Sequence, residues 1–72
     1  MNWCNNLKIA LINKDSQRAF ELTQNLPHFD DIEDMLEARE LIAQVVELLE
    51  NERDDVKKQM LQIRIAKQFL EI

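Results

Sequence analysis

An apolar residue recurs every seven positions over half of this chain: Met35, Ile42, Leu49, Val56, Ile63 and Leu70. Glu33, Glu40, Glu47 and Asp54 stand two positions before the first four. A seven-residue repeat keeps one side of a helix apolar, and a position two earlier lies about 200° around it, on the far side. Residues 30–72 contain neither Gly nor Pro. The stretch therefore reads as one long amphipathic helix over 30–71. Its weak point is the polar run Glu50-Asn51-Glu52-Arg53-Asp54-Asp55, the one place for a bend. The repeat passes from Leu49 to Val56 without a slip, and Asp54 and Lys58 stand in the favourable acid-before-base order, so continuity is expected. Unbroken, such a helix is about 60 Å long. It cannot bury its own apolar seam, so something else must cover it.

Seventy-two residues allow one domain with a small core, which ordinarily needs a staple or a partner. A single cysteine, Cys4, excludes an intrachain disulfide, and no zinc-type spacing is present. Partner binding or self-association is left as the source of extra stability. Neither a leader-like start nor a membrane-length apolar run is seen, so a cytoplasmic location is expected. The net charge of −5 does not suit a phosphate backbone. It is also uneven. Residues 30–55 carry eleven acids against Arg39 and Arg53, whereas residues 56–72 carry Lys57, Lys58, Arg64 and Lys67 against Glu71. That polarity favours antiparallel pairing of two such helices.

The segment before the long helix reads as a helical hairpin. Trp3, Leu7, Ala10 and Leu11 form one stripe over a helix at 2–13, widened by Ile9 and Ile12 and capped by Asn2. Asp15 caps a second helix at 16–26, striped by Ala19, Leu22, Thr23 and Leu26 and ended by Pro27. Asp30, with Glu33 three residues on, resembles a capping box, and Phe29 before it a hydrophobic staple. The expected fold is all-α: a short antiparallel αα-hairpin packed on one long C-terminal helix, a helical bundle completed by dimerisation.

Catalytic chemistry finds little footing. A chain without Gly has no phosphate-cradling loop. Cys4 and His28 form the one conceivable nucleophile–base couple, with no third group to orient them. Cys4 reads more simply as a small core residue. His28 with Asp30, Asp31 and Asp34 reads as a connection and an acidic first turn rather than a metal cluster. No catalytic residue, metal or cofactor is expected. A membrane-surface helix wants a basic polar face; residues 57–67 offer one, but Leu61 and Ile65 interrupt it.

The C-terminal run carries a family likeness. Leu48-Leu49-Glu50-Asn51-Glu52, then Lys58-Gln59-Met60-Leu61-Gln62-Ile63-Arg64, then Phe69-Leu70, resembles the last long helix of FliT-type flagellar export chaperones. The spacing between Asn51-Glu52 and Gln62-Ile63-Arg64 is about two residues longer than in that family. The family's Trp-Asp pair is absent, Asp15 and Phe20 standing nearest to it, and its regulatory tail helix is not carried over. The resemblance implies a cytoplasmic chaperone, commonly dimeric, that shields the C-terminal helix of a filament-cap protein before export.

The partner-binding residues expected are Val56, Met60, Ile63, Ala66, Phe69 and Leu70, with Val45, Val46 and Leu49 as an inner continuation and Arg64 and Lys67 at the rim. The partner is an amphipathic helix laid along the seam. The alternatives are a structural homodimer with no client and a regulatory adaptor for another protein.

Overall fold

A computed structural model describes residues 2–69, and the side chains of 2–68. Four helices follow one another: α1 (Trp3–Ile12), α2 (Ser16–Gln24), α3 (Ile32–Asn51) and α4 (Asp55–Phe69). No strand occurs among the described residues. The Asn2 side chain caps α1 by accepting from the Cys4 amide at 2.9 Å, and Asp15 caps α2 by accepting from the Arg18 amide at 3.2 Å. The cap of α3 is Asp31, one residue later than the sequence suggests, accepting from the Glu33 amide at 3.0 Å. Phe29 turns instead to Trp3, edge to face at 5.9 Å between ring centres. The Trp3 indole N–H donates to the Leu22 carbonyl at 2.8 Å. Together these contacts tie the 25–31 connection to the start of α1.

The single helix expected over 30–71 is divided in two. At the break the Glu52 amide bonds the Leu48 carbonyl, the Arg53 amide bonds the Glu50 carbonyl, and the Asp54 amide reaches back to the Leu49 carbonyl at 2.9 Å. The last two bonds, with Arg53 left-handed at φ 58°, make a Schellman end. Asp54 then caps α4 by accepting from the Lys57 amide at 3.2 Å. The α1–α2 corner is built the same way. Lys14 has φ 53°, its amide bonds the Leu11 carbonyl, and the Asp15 amide bonds the Ala10 carbonyl. A basic residue takes the left-handed position and the following Asp caps the next helix at both corners. Each acid thus offsets part of the cost of a non-glycine left-handed residue.

Two helical hairpins result, α1–α2 and α3–α4, and they stack. α3 packs on α1 and α2, α4 packs on α2 and α3, and α1 and α4 are not neighbours among the described residues. The core lies between the hairpins: Leu7, Ala10, Ala19 and Phe20 from the first, Leu41, Ile42, Val45, Leu49 and Leu61 from the second. With the hairpins stacked in two layers, each helix keeps an outer side open, as the exposed Ile12, Leu36 and Val56 show.

Candidate functional site

The break decides which side of α4 faces inward. Leu61 is almost fully buried at 1% exposure, and Ile65 packs partly against the same core. These are the two residues that seemed, in sequence, to interrupt a polar face; they are the packing face. Polar contacts fix the helix in this rotation. Lys58 pairs with Glu50 across the corner at 3.0 Å, and Lys57 lies 3.6 Å from Asp54 and 5.9 Å from the Phe20 ring centre. The Arg64 guanidinium donates to the Gln24 carbonyl of α2. Ser16, in the first corner, donates to Glu52, in the second, at 2.6 Å.

With Leu61 inward, the seven-residue seam splits. Ile42 and Leu49 are buried, whereas Val56, Met60 and Ile63 are 70%, 46% and 60% exposed. These three stand at i, i+4 and i+7 and form one continuous apolar stripe on the outside of α4, with exposed Lys67 in line beyond them. α3 carries six acids against Arg39, and α4 carries Asp55 against Lys57, Lys58, Arg64 and Lys67. The stripe therefore lies on a basic helix beside an acidic one.

The expected contact residues are distributed as follows. Val56, Met60 and Ile63 come together on the outer stripe, and Lys67 joins them. Val45 and Leu49 are enclosed in the core, out of reach of a partner, and Val46 is half-buried against it. The bend cuts the inner continuation off from the outer stripe. Arg64 and Ala66 are half-buried, and Arg64 is engaged with α2 rather than standing at a rim. Phe69 belongs to α4, but its side chain lies outside the described residues, as does all of Leu70. Two exposed apolar residues early in α3, Ile32 and Leu36, were not anticipated; they fall off the seven-residue phase. Ile9 and Ile12 of α1 are also exposed, and Ile12 edges a shallow groove between α1 and α3 with Lys8, Leu11, Leu41 and Gln44.

The groups with chemical potential are otherwise engaged. Cys4 is buried, and burial, then the Glu37 and Asp34 carboxylates, push its thiol pKa up, which favours the unreactive thiol over the thiolate. The Thr23 hydroxyl donates to the Phe20 carbonyl at 2.6 Å. Lys8 meets Glu37 at 2.7 Å, a hydrogen bond that raises the lysine pKa. His28 lies 3.1 Å from Asp30 in an exposed connection. No cluster of His, Cys, Asp and Glu able to hold a metal ion occurs among the described residues, and no helix there is long and apolar enough to cross a membrane. No protein-family model, curated protein or solved structure matches this chain.

Proposed function

We propose that the chain is a non-enzymatic, protein-binding helical module whose outer α4 stripe receives an amphipathic helix from a protein partner. The observation that carries this reading is the exposure of Val56, Met60 and Ile63 in one line, on a helix whose opposite side packs on the core through Leu61 and Ile65. Three large apolar side chains at helical spacing match the ridge that a helix-in-groove partner covers. The basic character of α4 selects a partner whose apolar stripe is flanked by Asp and Glu. In its finer form the module is a cytoplasmic export chaperone, and its partner is the C-terminal helix of a filament-cap protein. The sequence likeness over residues 48–70 supports that form.

A second reading is a homodimer of structural role. The opposite net charges of α3 and α4 favour it, since two copies facing each other antiparallel would set each basic helix against an acidic one. Sedimentation across concentration separates the two: a chain monomeric at micromolar concentration that binds a helical peptide supports the first.

The stripe itself is tested by titrating a labelled, acid-flanked amphipathic peptide. Ile63→Asp is expected to weaken binding by at least about tenfold, because it sets a charge into an apolar contact. Glu47→Lys, on the exposed face of α3, is expected to change it by less than about threefold. Equal effects from the two would overturn the assignment.

A further inference from the structure

The seven-residue phase runs through the α3–α4 corner as if the corner were not there. If residues 52–54 took helical dihedrals, α3 and α4 would become one helix over 32–69. Val56 and Ile63 would then fall in line with Ile42 and Leu49. Only a three-residue corner stops this, and its central residue is a left-handed arginine in a chain with no glycine. The other corner, equal in backbone geometry, is crossed by a shorter apolar line. Seven residues beyond Leu7, Ala10 and Leu11 stand Lys14, Gln17 and Arg18, so the buried stripe of α1 stops there, and the one line that crosses, Ile12, Ala19 and Leu26, begins at an exposed residue. The second corner is the one crossed by the long apolar phase, which is compatible with both a bend and a straight helix.

α4 is also the most separable element. Among the described residues it packs on α2 and α3 but not on α1, and Leu61 is its one fully buried side chain. Its fixings are Leu61, Ile65 and the contacts of Lys57, Lys58 and Arg64. A second copy supplies an identical α4 able to make the same contacts. Two straightened helices passing antiparallel, with the Lys58–Glu50 pairing kept between copies, would bring Glu47 and Glu50 of one beside the Lys57–Lys67 segment of the other. Val56, the most exposed seam residue of the bent form, would lie near the two-fold axis and be covered.

We infer that α4 is exchanged between two copies of this chain by straightening of the Glu52-Arg53-Asp54 corner, giving a dimer of continuous helices that reuses the core contacts of the monomer. The exchange requires no external partner on the α4 stripe, so it stands apart from the peptide-binding reading. Spin labels at Gln44 and Gln62, both exposed and nine residues either side of Arg53, report the corner directly. In the bent form they sit on facing helices, with axes about 10 Å apart. In the straight form they are about 27 Å apart along one helix. The double Cys variant, made with Cys4→Ala and diluted into excess unlabelled chain, gives the intrachain distance alone.

At millimolar concentration the chain is expected to sediment as a dimer with the long distance populated, and at low micromolar concentration as a monomer with the short one. Arg53→Gly, which relieves the bent form, is expected to shift the dimer toward monomer by about tenfold in Kd. Lys14→Gly gives the same relief at the other corner and is expected to leave Kd within about twofold. Replacing residues 52–54 by three alanines is expected to make the dimer predominate. A chain that stays monomeric at millimolar concentration overturns the exchange. So does a dimer showing only the short distance, or an equal response to Arg53→Gly and Lys14→Gly.

Discussion

At the scale of single residues, two neighbours in α4 have opposite duties. Leu61 fills the core between the hairpins, whereas Ile63, two positions on, faces solvent. Leu61→Ala is expected to cost about 2–5 kcal/mol of unfolding free energy, the range for emptying a buried leucine site. Ile63→Ala is expected to change it by less than about 0.5 kcal/mol, as exposed substitutions ordinarily do. Urea denaturation of the two variants measures the contrast. The corner residues make a second pair. A left-handed non-glycine residue costs roughly 1–2 kcal/mol, partly offset in the glycine variant by a looser unfolded chain. Lys14→Gly is therefore expected to raise stability by about 0.5–1 kcal/mol in the same assay. The buried Cys4 thiol gives a pH dependence with a definite sign. Its pKa is raised in the fold, so the unfolded chain loses the proton first as pH rises. Stability is then whole below the unfolded thiol's pKa and declines as pH climbs through the raised folded value. Cys4→Ala is expected to remove that alkaline component, measured by unfolding midpoints across the alkaline range.

At the scale of elements, the matching corners make the helix ends separable in their energetics. Asp15→Ala and Asp54→Ala each remove the side chain that accepts from the third residue on, at 3.2 Å in both cases. Each is expected to cost about 1 kcal/mol, and the two losses to add, since the caps serve different helices. The first hairpin was legible in the chain because its stop and start signals agree: Asn13-Lys14 ends a stripe and Asp15 opens another. The second corner carries the same signal, Arg53 before Asp54, but there the apolar phase ran on and outweighed it. In the sequence Asp54 stands as half of an ion pair inside a helix; in the structure it caps α4. Once the helix bends, the face that packs is no longer the one the repeat marks. Leu61 and Ile65, off the seam, took the inward side because α2 offers Phe20 and its neighbours there. The exposed stripe Val56, Met60 and Ile63 was thus legible as a set, while its separation from Val45 and Leu49 was not.

At the scale of the whole molecule, the two-layer stack explains why so short a chain leaves large apolar side chains outside. Two hairpins present only one shared interface, and a helix has more apolar surface than one interface covers. Ile9, Ile12, Ile32 and Leu36 are exposed along with the α4 stripe. The hydrogen bond from Ser16 to Glu52 links the corner ends of the two hairpins. Trp3, the sole tryptophan, is held by the Leu22 carbonyl and the Phe29 ring, at the end of a helix that is not a neighbour of α4 among the described residues. Its emission consequently reports the packing of α1 on α2 and on the 25–31 connection. Where the last helix departs without disturbing those contacts, a mismatch between fluorescence and circular-dichroism melting curves is the optical signature of a chain that loosens from one end.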